Sequence, residues 1–166
     1  MQRRPVLAAV AALALAGCGF RLRGSQSYVF ERIAVLPQPG GPLAIELRRN
    51  LAASVRVLAE QEPLTQAQVV LELLQEQREK TVVGVNASGQ VREFQLRIRV
   101  RFGLRTPQGL TLIAPTEIVQ QRDISFNESA VLAKEAEEGL LYRDMQSDIV
   151  QQLLRRLAAV RSLTPP

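Results

Sequence analysis

The chain has 166 residues, 21 Lys or Arg against 16 Asp or Glu, and a formal net charge of +5. It contains no His, no Trp and one Cys. Those counts exclude His-ligated zinc, a His general base, a Ser-His-Asp triad, an internal disulfide and a Cys-cluster metal site. At 46% hydrophobic and 22% charged residues, the composition suits one globular domain with a substantial core.

Met1-Gln2-Arg3-Arg4 is a short basic segment, and Val6 to Ala16 is an unbroken run of Ala, Val and Leu. The run is shorter than the ~20 apolar residues that a membrane-spanning helix needs. It has the length and flanks of a signal-peptide core. Leu15-Ala16-Gly17-Cys18 follows directly and resembles a bacterial lipobox, with the chain's only Cys where that motif needs it. The expected division is a signal peptide at 1–17, a lipidated tether at 18–28, one domain at 29–162 and a short tail at 163–166. Cys18 would carry diacylglyceryl and N-acyl chains, and no other cofactor or metal is expected. Buried methylenes are worth ~0.8 kcal/mol each, so several acyl chains anchor firmly. Gly19 follows the Cys, and the absence of Asp there favours the outer membrane if enterobacterial sorting applies. Without Arg3 and Arg4 the side chains sum to 19 − 16 = +3, too mild to imply nucleic acid.

Ile33-Ala34-Val35-Leu36, stopped by Pro37, reads as a buried strand. Pro39-Gly40-Gly41-Pro42 is a turn into a helix. Leu43, Leu47, Leu51, Val55 and Leu58 then mark one helical face, which Pro63 ends at the latest. Val69, Leu71 and Leu73 alternate, polar residues run to Lys80, and Val82 to Val85 lead into the turn Asn86-Ala87-Ser88-Gly89. Phe94, Leu96, Ile98, Val100, Phe102 and Leu104 alternate with Gln95, Arg97, Arg99, Arg101, Gly103 and Arg105. This is a strand with one apolar and one basic face. Leu110 to Ile124 is a further antiparallel strand, in which Pro115 signals a bulge or a sheet edge. A long helix follows from about Asn127 to about Val160, with Asn127 as N-cap and an apolar stripe from Leu141 to Leu157. The expected fold class is α+β in the order β-α-β-β-β-α: two helices packed on one face of a four-stranded mixed sheet.

The segments in order resemble a known family. Cys18-Gly19-Phe20-Arg21-Leu22-Arg23-Gly24 is similar to the mature start of the lipopolysaccharide-assembly lipoproteins of the LptE family. Gly89-Gln90-Val91-Arg92-Glu93-Phe94-Gln95-Leu96 resembles the family's turn and the strand after it. Phe126-Asn127-Glu128 with Leu132-Ala133-Lys134-Glu135 resembles the start of its last helix. Met145-Gln146-Ser147-Asp148 and Leu153 to Leu157 resemble that helix's end.

The resemblance implies a non-catalytic outer-membrane lipoprotein that plugs and helps assemble the LptD β-barrel, binds lipopolysaccharide and supports its delivery to the outer leaflet. It also implies contact with lipopolysaccharide near the turn and at the start of the last helix. Lys134 matches the basic position there. The turn itself carries no charge, so a role on that side falls to Arg92.

The basic strand has two readings. It is a ladder for phosphate, which the planar Arg fork suits, or it pairs with the preceding strand. A hairpin centred between Asn86 and Ala87 would set Glu76 against Arg97 and Glu72 against Arg101, at ~0.2–1 kcal/mol per pair. Arg99 and Arg105 would then be left for a partner. The alternative function is an outer-membrane adaptor that activates a periplasmic enzyme or pilots a secretion barrel. The chain has no nucleophile elbow, Gly-rich phosphate loop or metal-ligand spacing that would support an enzyme.

Overall fold

The computed structural model describes residues 26–164. The signal peptide, Cys18, most of the tether and the last two residues lie outside the described residues. Five strands and two helices follow: β1 (Arg32–Leu36), α1 (Pro42–Leu51), β2 (Arg56–Val57), β3 (Val69–Val85), β4 (Val91–Arg105), β5 (Thr111–Ser125) and α2 (Val131–Ala158). Short 3-10 turns occupy Leu64–Gln66 and Glu128–Ala130. The sheet order is β2-β1-β3-β4-β5. β1 pairs in parallel with β2 and β3, and the β3–β4 and β4–β5 pairs are antiparallel.

The α+β class and the mixed sheet match the expectation, but there are five strands, not four. The added strand is cut from the expected first helix. α1 ends at Leu51, whose carbonyl accepts from both Ser54 and Val55 at 2.9 Å. Arg56 and the β-branched Val57 then pair with β1 in extended backbone, a conformation a β-branched side chain favours. Val55 still reaches the main core, so the four-residue spacing continues past the helix end by coincidence of position. Leu58 crosses to the opposite face of the sheet.

The main core lies between the helices and one sheet face. Leu43, Leu47 and Leu51 of α1 and Met145, Ile149, Leu153 and Leu157 of α2 meet Ile33, Val35, Leu71 and the apolar side of β4. Complete burial of such a side chain is worth about 1.5–3 kcal/mol before ordering costs. A smaller core on the other face gathers Ala34, Leu58, Ala67 and Val70, covered by the segment around Leu64. Arg48 of α1 ties down the turn after β1, donating to the carbonyls of Val35 at 2.9 Å and Pro37 at 2.7 Å, and to that of Pro39. Burial pushes its pKa down.

The register of the β3–β4 hairpin differs from the expected one. Glu79, not Glu76, stands opposite Arg97, and Gln75 stands opposite Arg101. The turn sets the offset, being wider than a two-residue link: Asn86 Oδ1 accepts from Ser88 and Gln90, and Gly89 holds φ +78°. Leu74, an extra residue between Leu73 and Gln75, shifts only the pairs beyond it, where Glu72 stands opposite Gly103. An offset of three residues, being odd, moves Glu76 to the helix side of the sheet. There it joins Arg78 and Lys80, so from Gln75 to Thr81 β3 is polar on both faces.

β5 is a sheet edge, and Pro115 sits in a bulge as expected. Phe102 pairs with Thr116 but Leu104 pairs with Ile113, leaving Ala114 and Pro115 unpaired. Gly103 lies under the bulge; a Cβ there would stand 3.8 Å from the Pro115 ring.

α2 begins at Val131, and Asn127 caps the 3-10 turn ahead of it, accepting from the Ser129 N–H at 3.0 Å. All buried residues of α2 fall from Met145 onward. Its first half is held mostly by polar contacts. Lys80 Nζ meets Glu138 at 2.6 Å, and Tyr142 donates its hydroxyl to the Glu79 carbonyl at 2.9 Å.

Candidate functional site

Two regions carry the residues singled out in the sequence. The first is the sheet face that no helix covers. Arg97, Arg99, Arg101 and Arg105 project from β4 between Gln75, Gln77 and Glu79 of β3 and Glu117, Val119 and Gln121 of β5. Glu79 serves two arginines, at 3.8 Å from Arg97 and 3.6 Å from Arg99. Arg105, expected to be free, has the best geometry of the set: its Nη2 lies 2.8 Å and its Nε 2.9 Å from Glu72. Arg101, expected to be paired, makes no ion pair among the described residues. Counting Glu72, Glu79, Glu93, Glu117 and Asp123 against the four arginines, this face is within one charge of neutral. It is a polar, mixed-charge surface suited to a wet neighbour rather than a concentrated phosphate ladder.

The second region is the distal end, where β3 turns into β4 and β5 passes into α2. Phe94 and Phe126 meet edge to face, with centroids 5.3 Å apart. Lys80 lies over the Phe94 ring at 4.4 Å while bonded to Glu138. Lys134 donates to Ser125 Oγ at 3.0 Å and to Glu137 at 2.8 Å. Its side chain is 21% exposed, so it stands at the wall of a small hollow lined by Phe94, Ile124, Phe126 and Val131. Arg92 lies across the Phe126–Asn127 junction, beside a second hollow with Asn127, Glu128 and Ser129. Its backbone carbonyl accepts from the Phe126 N–H at 2.7 Å, and its exposed side chain makes no ion pair among the described residues.

Apolar side chains stand exposed around these cations: Val82, Val83, Val85 (60%), Val131 and Leu132 (82%). Sequence reasoning found Arg92 and Lys134 but missed Lys80 and this apolar rim. The signal was present, since Glu76 to Lys80 is polar at every position and cannot have a buried face. Tyr142 marks the inner border of the region; burial, and after it Glu138, push its pKa up.

The two regions thus place Arg92 and Lys134 together at one end, and Arg99 and Arg105 apart from them on the open face. Among the described residues, no group of acidic or Cys side chains is arranged to hold a metal ion. No helix among them is long and apolar enough to cross a membrane.

The geometry is that of a compact α+β domain with an amphiphilic tip. The comparisons with known proteins then place it: the chain belongs to the lipopolysaccharide-assembly family LptE, whose profile matches residues 30–157. The LPS-assembly lipoprotein LptE of Yersinia enterocolitica is 30% identical over 160 residues, 95% of this chain and 76% of that protein. The protein of the same name from Photorhabdus laumondii is also 30% identical, over 95% of this chain and 86% of its own length. The solution structure of an uncharacterised lipoprotein B from Nitrosomonas europaea superposes with a TM-score of 0.72. It is 34% identical and covers 85% of this chain and 91% of that one. The rare lipoprotein B of Shewanella oneidensis shares the fold at a TM-score of 0.62 and 21% identity, over 77% of this chain and 94% of that one. The family serves assembly, not catalysis.

Proposed function

We propose that this protein is an outer-membrane lipoprotein, acylated at Cys18, that occupies and helps assemble the LptD β-barrel and binds lipopolysaccharide during its delivery to the outer leaflet. The observation that carries the ligand part is the distal end, where exposed Val and Leu side chains surround Lys80, Arg92 and Lys134. An amphiphile with anionic headgroup phosphates matches both halves of that surface: acyl chains bury against the apolar rim and phosphates meet the cations. Arg92 is the better placed cation, because Lys134 is already satisfied by Ser125 and Glu137. The mixed-charge, glutamine-rich sheet face supports the barrel part, since it is polar enough to lie against a wet lumen.

The test uses the natively lipidated protein with a C-terminal tag, purified from detergent-solubilised outer membranes. A large β-barrel is expected in the eluate at equal stoichiometry. Lipopolysaccharide binding to the purified protein should fall with Arg92→Glu by about 10-fold, the scale of one charge-assisted contact, and should change little with Arg105→Glu. Recovery of a soluble periplasmic enzyme without a barrel would replace this reading with the adaptor function. Equal losses from the two charge reversals would remove the distal end as the contact.

A further inference from the structure

One strongly charged region remains unassigned: the proximal end, opposite the hairpin tip. β1, β3 and β5 begin there and β4 ends there. Both helices run antiparallel to β1, β3 and β5, so both also end there. α1 carries Arg49 in its last turn and α2 carries Arg155 and Arg156 in its own. Arg32 opens β1, Arg56 opens β2, and Arg161 follows α2. All six side chains are exposed.

Arginines in the last turn of a helix offset its macrodipole, which accounts for Arg49, Arg155 and Arg156 without any partner. It does not account for the others. Arg32 and Arg56 are register partners on adjacent parallel strands, two like charges side by side. Such pairs are destabilising unless something neutralises them. Glu31, next to Arg32, and Glu62, 2.9 Å from Arg56, offset two of the six arginines, while Arg32 and Arg161 make no ion pair among the described residues. The distal end has the opposite balance, with Glu93, Asp123, Glu128, Glu135, Glu137 and Glu138 against Lys80, Arg92, Arg122 and Lys134. The charge is therefore separated along the length of the molecule.

The basic end is also where the chain arrives from Cys18. Gln26 lies eight residue steps beyond Cys18, a reach of at most about 26–29 Å at ~3.3–3.6 Å per residue, and Arg21 and Arg23 lie within that stretch. We infer that, while the domain is outside any barrel, the proximal end docks on the anionic phospholipid headgroups of the leaflet that holds the acyl chains, setting the domain end-on with its hairpin tip directed away. This rests on the reading of Cys18 as acylated. The arginine forks bond headgroup phosphate oxygens, and the Arg32–Arg56 repulsion is relieved.

The test reconstitutes the natively lipidated full chain into vesicles of phosphatidylethanolamine, alone or with about one part in four phosphatidylglycerol, at physiological salt. Donor dyes are placed at Ser162→Cys or, separately, at Ser88→Cys in the hairpin turn, with an acceptor on the lipid headgroups. Energy transfer from position 162 should be about twofold higher on anionic than on neutral vesicles, and should fall to the neutral value in ~1 M salt, where the Debye length is ~3 Å. Transfer from position 88 should stay low on both. Combining Arg32→Gln, Arg56→Gln and Arg161→Gln should abolish the difference, and Arg92→Gln should preserve it. Arg161→Gln alone, outside every helix and strand, should give a partial loss without any risk to folding. Equal transfer on the two vesicles, or the same loss from Arg92→Gln, would overturn the docking surface. A chain that failed to float with neutral vesicles would sink the acylation reading instead; docking would then stand only if the same chain floated with anionic vesicles, and fall if it floated with neither.

Discussion

Replacing Gly139 by Ala should tighten the first half of α2 without touching the core. Gly139 lies between the polar contacts of Lys134 and Glu138 and the first fully buried residue of the helix, Met145. A Cβ built there has a single neighbour within van der Waals range, the flexible Arg143 Nη1 at 3.9 Å. The substitution therefore adds no clash and removes the glycine penalty of about 0.8–1.0 kcal/mol in a helix interior. Because residues 131–144 contribute none of the fully buried side chains, their opening is local and has its own free energy. Dividing by RT gives a fall of about four- to fivefold in the hydrogen-exchange rate of amides near 135–143. Exchange of the core amides around Ile149 and Leu153 should move much less. Unchanged exchange near Gly139 would mean that this half already opens only with the whole domain. A faster rate would mean that the glycine is required for its shape, and either result would refute the division of α2 into a packed and an overhanging half.

Leu153→Ala, at a fully buried position, should cost about 2–5 kcal/mol by urea denaturation, whereas Leu132→Ala, at 82% exposure, should stay within about 0.5 kcal/mol. A double-mutant cycle on Glu72 and Arg105 should give a coupling of about 0.5 kcal/mol, and one on Glu76 and Arg97 should give none, because those two lie on opposite faces of the sheet. Stability should be flat from pH ~6 to ~8, as the chain has no His. Above pH ~10 it should decline. Tyr28 and Tyr142 have folded pKa values raised by burial, so their contribution is complete below the unfolded value and is lost as pH rises through the folded one. Thermal melts across that range test this; a rise in stability above pH ~10 would contradict it.

The elements that read correctly from sequence are those in which one face is buried along their whole length. β4 alternates strictly because every second residue faces the helices, and the second half of α2 repeats every four residues because it lies flat on the sheet. Pro115 revealed its bulge because proline cannot donate to the ladder. What escaped was structure without a period. β2 has two residues, too few to alternate, and it lay hidden in a helical stripe that ran past the end of α1. The hairpin register escaped because neither the bulge at Leu74 nor the width of the Asn86–Gln90 turn leaves a mark in hydrophobicity. That one offset reassigned the arginines, leaving Arg101 free and giving Arg105 to Glu72. The distal end was half legible. Its cations stood out in a chain with two lysines, but Val82, Val83 and Val85 looked like an ordinary approach to a turn.

β5 leaves one side of a 15-residue strand without a neighbour among the described residues, which is ample length to recruit a stranger's backbone. Three features argue against its doing so. Pro115 breaks the line of donors near one end, Arg122 and Asp123 place charge near the other, and the bulge over Gly103 twists the run between them. Only the short stretch from Thr116 to Gln121 remains straight and lightly charged. A visiting strand would find a foothold of about six residues, enough for a brief encounter and too little to seed a growing fibre. The same irregularities that complicate the fold's register thus also act as its quarantine, letting crowded copies collide and part again.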